Sequence, residues 1–376
     1  MKKLITYLIT LSCIFSLCIP AFADKPELSA KSSILVCADT GDVLYEKNAD
    51  EKMNIASITK IMTAILVIEN CKDLNAKIKI PSECCNIEGS SMYLEAGKKY
   101  TVRELLLGMM LASGNDAALA LAQFVSGNTE SFAELMNKKA SELGMSNSAF
   151  RNPHGLDEEG HYSTSRDMAV LMSYCMKNSS FCEIVSCKSA DIGKLTFVNH
   201  NKLLWTYNGC IGGKTGFTET AGRTLVSCAE RNGMKLVCVT LGAPDDWDDH
   251  AKLYDFGFEN YKVTSFRHDD FSIDIPIISG KKCSTLIAPE NDIVILNNKE
   301  DIVKARFEIP RLVFAGGIKG EKVGVMKVYV NGELAVEENL VYTDSAYKEE
   351  SRQLSFWERV GHMVSHFVKP YYIKDN

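Results

Sequence analysis

The chain has 376 residues, of which 46% are hydrophobic and 24% charged, and its formal net charge is −6. This composition excludes a disordered, collagen-like or multi-span membrane protein. The acidic balance argues against nucleic acid as a partner, because nucleic-acid binding needs a basic face. The length predicts about two domains of roughly 150 residues each.

The amino terminus has the parts of a secretory signal: Lys2 and Lys3, an apolar run over residues 4–19, and an Ala-x-Ala site ending at Ala23. We therefore predict a signal peptide over residues 1–23 and export to the extracytoplasmic face of the cell membrane. An uncleaved anchor is the alternative, but the apolar run is short for a membrane span. Without Lys2 and Lys3, 40 of the 42 basic residues remain against 48 acidic ones, so the mature net charge is −8.

The cysteines do not form a complete disulfide framework. Of the 13 cysteines, Cys13 and Cys18 lie in the predicted signal, which leaves the odd number of 11 in the mature chain. Neither C-x-x-C nor H-E-x-x-H occurs, so we predict no metal site and no redox motif. We interpret the cysteines as mainly buried apolar side chains.

The first half of the chain predicts a hairpin followed by helices. Two apolar runs, residues 34–38 and 43–45, flank a turn composition at residues 39–42. Apolar residues at helical spacing then follow Ser57, which we expect at or near the helix amino-terminal cap. Further helices are predicted from apolar residues three and four apart, and a polar loop over residues 151–163 precedes the last of them. These helices span residues 102–111, 116–125, 130–143 and 166–176.

Strand patterns return in the second half. Residues 195–198, 223–228 and 235–241 predict strands, and Arg231-Asn232-Gly233 predicts the turn between the last two. Residues 251–258 predict a closing helix. Strands at both ends around a helical middle predict an α/β domain over residues 24–261, with one antiparallel sheet to which both ends contribute, a helical face and a helical subdomain. Alternating apolar residues and the hairpin signal Asn331-Gly332 predict a small all-β domain over residues 262–345.

The carboxyl-terminal tail predicts an amphipathic helix over residues 354–369. Trp357, Val360 and Phe367 fall on its apolar face, while Glu358 and His362 fall on the opposite face. The segment is too short and too polar to span a bilayer, but such a helix can lie in the interface. We expect this helix to bind to the membrane surface. The alternative is that it docks on its own protein or on a second copy.

Three short motifs carry the candidate chemistry. Ser57-x-x-Lys60 places a hydroxyl and an amine on the same face of one helical turn, as a nucleophile and its base. Alone, S-x-x-K occurs about twice by chance in a chain of this length, and a cap serine with a solvated lysine would explain it. Ser113-Gly114-Asn115 and Lys214-Thr215-Gly216 follow, however, and K-T-G is expected only about 0.1 times. A helix end followed by a Gly turn and the beginning of a strand can aim these side chains into one cleft.

The set S-x-x-K, S-x-N and K-T-G resembles the serine penicillin-recognising enzymes, with the β-lactamase/transpeptidase-like fold. More narrowly, the chain resembles the low-molecular-mass penicillin-binding proteins that are serine-type D-alanyl-D-alanine carboxypeptidases. The resemblance covers about residues 32–261, and the all-β domain and the tail also match that family's layout. Further matching segments are Asp39-Thr40-Gly41, residues 150–165, Asn199-x-Asn201-Lys202-Leu203, residues 214–218 and Ala221-Gly222.

The resemblance implies a role for each site residue. Ser57 would attack the penultimate D-alanine carbonyl of a peptidoglycan stem pentapeptide and become acylated, with Lys60 as the base. Ser113 would relay a proton to the leaving D-alanine, and Asn115 would orient Lys60 and the substrate amide. Two binding roles complete the set. Lys214 and Thr215, beside Gly216, would bind the terminal carboxylate, and the backbone N–H groups of Ser57 and Phe217 would stabilise the oxyanion.

The resemblance further implies a cell-wall hydrolase that limits cross-linking, is acylated by β-lactams and needs no cofactor. Two departures stand out. The sequence has Ile55 where members commonly have Pro before Ala-Ser, and residues 245–250 lack the arginine that members often carry, so auxiliary anchoring of the carboxylate stays open.

Other functions fit the sequence less well. A phosphate-binding loop would need Gly where Asn208 stands, and G-x-S-x-G is absent. His154 and His161 are interpreted as loop hydrogen-bonders instead of bases. A β-lactamase would need a deacylating Glu in the loop after Ser113, and Glu134 lies on a predicted helix. A DD-endopeptidase of the same fold and a non-catalytic wall-binding or sensor relative remain the alternatives.

Overall fold

The computed structural model describes residues 25–278 and 282–345. The predicted signal peptide, residues 1–23, and the predicted amphipathic helix, residues 354–369, lie outside the described residues. None of the helices within the described part is long and apolar enough to cross a membrane.

The amino-terminal part is an α/β domain. Its strands are β1 (Ser32–Cys37), β2 (Val43–Lys47), β3 (Lys77–Lys79), β4 (Lys99–Thr101), β5 (Ser189–Ile192), β6 (Leu195–Val198), β7 (Cys210–Thr218), β8 (Gly222–Arg231) and β9 (Met234–Leu241). Its helices are α1 (Lys60–Asn70), α2 (Val102–Leu111), α3 (Asn115–Ser126), α4 (Thr129–Glu142), α5 (Ser165–Cys175), α6 (Ser179–Ser186), α7 (Leu203–Thr206) and α8 (Asp246–Asn260). Two 3₁₀ turns lie at Ala56–Thr59 and Ser82–Cys84.

Both ends of this domain meet in one five-stranded sheet with the order β2-β1-β9-β8-β7. Strand β1 pairs antiparallel with β9, so that Ile34 lies opposite Val239. Every residue of β1 is buried, because α8 covers one face of the sheet and the other helices cover the opposite face. Continuous apolar runs are expected for strands buried on both faces. The predicted antiparallel sheet with both ends joined is therefore confirmed.

The helices follow the sequence prediction closely, with some differences. Helix α2 has the predicted bounds and begins with a capping box between Thr101 and Glu104. Ser57, however, does not cap its helix: it lies in the 3₁₀ turn, α1 begins at Lys60, and no side chain caps α1. Helix α8 begins five residues before its predicted start, and α6, α7 and the strands β3, β4 and β5 were not predicted. Strand β6 has its predicted bounds, but its pairing with β5 was not predicted.

The carboxyl-terminal part is all β. Its strands are β10 (Tyr261–Phe266), β11 (Ile273–Ile278), β12 (Ser284–Pro289), β13 (Ile293–Asn298), β14 (Val303–Glu308), β15 (Val313–Phe314), β16 (Lys322–Val330) and β17 (Glu333–Tyr342). They form a two-stranded sheet, β10-β13, and a six-stranded sheet in the order β14-β16-β17-β12-β11-β15. The core between them contains Ile275, Ile287, Met326 and Leu340. The prediction of a fold with an α/β domain followed by an all-β domain is thus confirmed.

Two predicted hairpin turns have the backbone that their sequences favour. Asn232 and Gly233 join β8 to β9 with φ values of 51° and 75°, and Asn331 and Gly332 join β16 to β17 with 53° and 93°. Two-residue turns of type I′ need positive φ at both positions, and Asn-Gly satisfies this with the least strain.

The interpretation of the cysteines as buried apolar side chains holds for some of them. Among the described residues, five free thiols are fully buried: Cys37, Cys84, Cys175, Cys228 and Cys238. Five other free thiols are only half-buried: Cys71, Cys85, Cys182, Cys187 and Cys210.

Candidate active site

The three sequence motifs meet at an open cavity of about 780 Å³ between the helices and the edge strand β7. Ser57 reaches it from the 3₁₀ turn before α1, and Ser113 from the turn between α2 and α3. Thr215, Gly216 and Phe217 reach it from β7. The motif Lys214-Thr215-Gly216 lies in the middle of its strand, and not at the start as predicted, because β7 begins at Cys210.

Lys60 is buried in contact with the Ser57 hydroxyl. Because side chains at i and i+3 eclipse in a 3₁₀ turn, Lys60 Nζ lies 2.8 Å from Ser57 Oγ. The same nitrogen lies 2.7 Å from Asn115 Oδ1 and 2.7 Å from the carbonyl oxygen of His154. A neutral amine has two N–H donors and one lone pair. It can therefore donate to the two carbonyl oxygens while accepting the Ser57 proton.

The electrostatics favour this neutral amine. Burial lowers the pKa of Lys60 well below its usual value, and the nearby charge of Lys214 lowers it further, whereas Asp116 opposes the shift. Lys60 is 0% exposed, so water does not offset the loss of solvation. A lysine with a lowered pKa beside a hydroxyl is the arrangement that activates a serine nucleophile.

Lys214 and Ser113 form a second buried pair. Lys214 Nζ lies 3.1 Å from Ser113 Oγ and 2.7 Å from the Thr215 carbonyl oxygen. Burial lowers the pKa of Lys214 to about 7. The amine is therefore easily protonated when an anion enters the cavity, because a nearby negative charge favours the cation.

Two residues beside the reactive groups have strained backbones. Ala56, directly before the nucleophile, has φ of 51°, and Ser113 has φ of 63°. The left-handed region costs roughly 1–3 kcal/mol for such residues, and persists where the surroundings enforce it, as at active sites. Both strained residues are buried, in keeping with this explanation.

Asn115 is oriented by the loop between β3 and α2. Its Nδ2 donates to the Glu88 carbonyl at 2.7 Å, which turns Oδ1 toward Lys60. Asp116 fixes the same loop, because its carboxylate accepts the N–H groups of Met92 and Leu94, both at 3.0 Å, and the Ser91 hydroxyl at 2.6 Å. Asp116, the residue after the S-x-N motif, therefore fixes the loop that positions Asn115.

The loop over residues 151–163 contacts the opposite side of the 3₁₀ turn Ala56–Thr59, which we name the nucleophile turn. His161 accepts the Arg151 N–H at Nδ1, so its Nε2 carries the proton and donates to Thr59 Oγ1 at 2.9 Å. Burial lowers the pKa of His161 to about 4 and that of His154 to about 3, so both rings are neutral. The contacts agree with the interpretation that these histidines are hydrogen-bonders.

Strand β7 lies directly against the nucleophile turn. A Cβ atom on Gly216 would lie 2.8 Å from the Ser57 backbone nitrogen and 2.5 Å from Thr224 Oγ1. Only glycine allows this close approach, which brings the backbone around Phe217 next to that of Ser57. The Phe217 side chain itself is 66% exposed.

The sequence analysis did not predict that Arg223, Asp246 and Trp247 line one side of the cavity. Arg223 at the start of β8 donates from Nε (3.1 Å) and Nη2 (2.7 Å) to Asp246 Oδ1, and its guanidinium lies 5.6 Å from the centre of the Trp247 ring. Asp246 is buried, which raises the pKa of its carboxyl, while Arg223 is half-exposed toward the cavity. Strand β7 pairs with β8 so that Arg223 lies opposite Phe217, a register that the sequence analysis did not predict.

No group of three His, Cys, Asp or Glu side chains within residues 25–278 and 282–345 could hold a metal ion. The site instead combines a serine hydroxyl, a buried lysine with a lowered pKa, and a second lysine for an anion. Together with the α/β domain and the trailing all-β domain, these features define a serine enzyme with the penicillin-binding-protein fold.

Comparison with known proteins places the chain in one family of that fold. Residues 20–245 match the family described as D-alanyl-D-alanine carboxypeptidase, and residues 261–348 match the penicillin-binding protein 5 C-terminal domain. The chain therefore belongs to the family of serine-type D-alanyl-D-alanine carboxypeptidases. The predicted family, fold class and enzyme class, a hydrolase, are confirmed.

Individual relatives match between 62% and 95% of this chain. The D-alanyl-D-alanine carboxypeptidase DacF of Bacillus subtilis is 33% identical over 95% of this chain and 96% of its own length. Penicillin-binding protein 5 from Haemophilus influenzae has a TM-score of 0.70 at 29% identity and covers 87% of this chain and 100% of its own. A mutant of the Streptomyces K15 DD-transpeptidase has a TM-score of 0.61 at 34% identity, over 62% of this chain and 99% of its own.

Proposed function

We propose that this protein removes the terminal D-alanine from peptidoglycan stem pentapeptides through an acyl-serine intermediate. The observation that carries the proposal is the environment of Lys60, whose two carbonyl neighbours leave its lone pair for the Ser57 hydroxyl. Removal of the terminal residue would limit cross-linking, because a cross-linking enzyme needs the D-Ala-D-Ala bond as its acyl donor.

Acylation begins with attack by Ser57 Oγ on the penultimate D-alanine carbonyl. The hydroxyl proton passes to Lys60 Nζ as the O–C bond forms. The N–H groups of Ser57 and Phe217 stabilise the oxyanion of the tetrahedral intermediate. Collapse of the intermediate breaks the C–N bond, and Lys60 gives its proton, relayed by the Ser113 hydroxyl, to the leaving D-alanine nitrogen, which restores the neutral amine.

Deacylation returns the enzyme to its starting state. A water molecule attacks the acyl-serine ester and gives a proton to Lys60, and Ser57 leaves with a proton as the shortened peptide departs. Asn115 keeps Lys60 in place through both steps, because its Oδ1 accepts from Nζ and its Nδ2 is tied to Glu88.

The terminal carboxylate of the substrate binds to Lys214 and to the Thr215 hydroxyl. Lys214, with a pKa of about 7, becomes fully cationic when the carboxylate enters. Arg223 offers its half-exposed guanidinium to the same cavity and can supply the auxiliary contact that residues 245–250 lack. β-Lactams, which carry a carboxylate beside a strained amide, occupy the same positions and acylate Ser57.

We place this activity at the extracytoplasmic face of the cell membrane. The support is the secretory pattern of residues 1–23 and the amphipathic pattern of residues 354–369. The partners are peptidoglycan stem peptides, β-lactams and the membrane surface.

The test is D-alanine release by the purified mature chain, residues 24–376, from a stem pentapeptide ending in D-Ala-D-Ala. Ser57→Ala is the matched variant, because it removes one oxygen from a folded site. Release by the wild type and none by Ser57→Ala is expected. A folded wild type that is acylated by penicillin but cuts only internal cross-links would favour the DD-endopeptidase. One that forms the adduct and cuts nothing would favour the wall-binding relative.

A further inference from the structure

The all-β domain has exposed apolar side chains at both ends of its long strand β16. One end is the Asn331-Gly332 hairpin, beside which Lys299 N donates to the carbonyl of Asn260, the last residue of α8. That end therefore adjoins the α/β domain. The nine residues of β16 carry the sheet about 26 Å further, at ~3.3 Å per residue, to the opposite end.

We name this opposite end the distal tip and define it as residues 311–322 with Lys282, Asp344 and Ser345. It contains the two most exposed large apolar side chains of the described all-β domain, Phe314 at 71% and Ile318 at 66%. Both side chains lie at one extremity of the domain, four residues apart in the chain.

The backbone of the distal tip prevents these side chains from turning inward. Ala315 N donates to the Ile278 carbonyl at 3.0 Å, and Gly320 N donates to the Tyr342 carbonyl at 2.9 Å. The Gly317 backbone lies in close contact with the Tyr342 ring, since a Cβ atom on Gly317 would be 2.4 Å from the ring. Tyr342 already fills the core at this point, so the neighbouring Ile318 stays outside.

The distal tip also carries three cations. Arg311, Lys319 and Lys322 are exposed, and among the described residues no salt bridge joins any of them to a carboxylate. Lys282 is paired with Asp344, so Glu321 is the remaining acidic residue within the tip and the local charge is positive. This contrasts with the mature chain, whose net charge is −8. A surface that combines aromatic and aliphatic side chains with Lys and Arg is suited to bind anionic lipids.

The chain also leaves the described structure at this tip. Lys319 N donates to Ser345 Oγ at 3.1 Å, and Ser345 is the last described residue. The predicted interfacial helix begins at residue 354, nine residues later, a distance of at most about 30 Å for an extended chain. A membrane that binds this helix is therefore within reach of the tip.

We propose that the distal tip is a second membrane contact, which inserts Phe314 and Ile318 among the headgroups of an anionic bilayer. The inference rests on the proposed membrane-surface location of the protein. Arg311, Lys319 and Lys322 bind the lipid phosphates around the inserted pair. Because two linked contacts bind far more tightly than either does alone, the tip strengthens attachment and fixes how the body stands on the surface.

The experiment is sedimentation of the mature chain, residues 24–376, with vesicles of phosphatidylglycerol and phosphatidylcholine, and with phosphatidylcholine alone. The test variant is Phe314→Ser with Ile318→Ser. The matched control is Ile302→Ser with Leu334→Ser, which removes two exposed apolar side chains at the hairpin end. Unchanged thermal midpoints and full acylation by penicillin verify that both variants are folded.

We expect the tip variant to bind anionic vesicles at least about tenfold more weakly than wild type, and the control variant to bind as wild type does. Replacing Arg311, Lys319 and Lys322 with Gln should weaken binding to anionic vesicles only.

Equal binding by the tip variant and the wild type would overturn the proposal. If Val360→Ser with Phe367→Ser abolished binding in that case, the proposed membrane location of the protein would still stand. A wild type that binds no vesicle would overturn both. A lipid-free dimer of the wild type that the tip variant loses would assign the tip to a second copy and overturn the lipid contact.

Discussion

Replacing Gly155 with alanine would put a Cβ atom 1.9 Å from the carbonyl oxygen of Ala56, 2.5 Å from its carbonyl carbon and 2.8 Å from Thr59 Oγ1. Gly155 also has φ of 87°, in the left-handed region. The contacted atoms belong to the nucleophile turn, in which Ala56 directly precedes Ser57 and Thr59 follows it. The substitution therefore combines backbone strain with a clash that can be relieved only by moving the turn or the loop.

The magnitude follows from the two costs. A non-glycine residue in the left-handed region costs roughly 1–2 kcal/mol. An overpacked buried contact costs roughly 1–3 kcal/mol more. Gly144 is the matched control, because it has φ of 76° but nothing within 4 Å of an added Cβ. We expect Gly144→Ala to lose about 1–2 kcal/mol of unfolding free energy and Gly155→Ala to lose about 2–5 kcal/mol.

The activity effect separates the two variants further. Movement of Ala56 displaces the Ser57 N–H, to which we assign stabilisation of the oxyanion, and a misplacement of ~1 Å at a reacting centre can cost about 100-fold in rate. Urea unfolding measures the stability loss, and the rate of acylation by a fluorescent penicillin measures the displacement. Equal stability losses in both variants, with wild-type acylation by Gly155→Ala, would refute the claim that the loop clamps the nucleophile turn.

Three further outcomes follow from the charges at the site. For D-alanine release, kcat/KM should fall above a pH of about 7, where free Lys214 loses its proton, and a profile that stays flat there would contradict this role. Because the pKa of Lys60 is lowered well below its usual value, kcat/KM should also fall toward acid pH as this base gains a proton. The folded state keeps His161 neutral down to about pH 4, whereas the unfolded chain protonates it near its usual pKa of 6.5. The unfolded state thus binds more protons between these values, and this group lowers stability by ~1.4 kcal/mol per unit of falling pH. His161→Gln should remove that share of the slope in unfolding at pH 4 to 6.5, and an unchanged slope would show that the ring does not titrate as inferred. Arg223→Gln should raise KM for the pentapeptide about tenfold, the worth of one charge-assisted contact, and unchanged KM would remove Arg223 from the substrate.

The sequence predicted those parts of the molecule that depend on local pattern. Apolar spacing alone located α2 with its observed bounds, and Asn-Gly dipeptides located the turns after β8 and β16. These features are local, because a periodic apolar face and a positive φ are properties of a few consecutive residues. The sequence did not predict α6 or the short hairpins, whose apolar patterns are too brief to stand out.

The candidate site divides in the same way. Residue types and their order identified the candidate site residues, and the fold places these residues around one cavity. They are Ser57, Lys60, Ser113, Asn115 and the strand motif at residues 214–217. Residue types could not indicate that the carbonyl oxygen of His154 contacts Lys60, since every residue has a carbonyl group.

The sequence by itself determined which groups are available for the chemistry and which elements carry them. Only the tertiary structure decided that Lys60 is completely buried beside Lys214, that Asp116 fixes the wall behind Asn115, and that the guanidinium of Arg223 reaches the cavity. The physical reason is that burial, and the pKa shift it causes, is set by atoms far apart in the chain. Lys60 and Lys214 are separated by most of the α/β domain, and only the packing of the helices against the edge of the sheet brings their charges together.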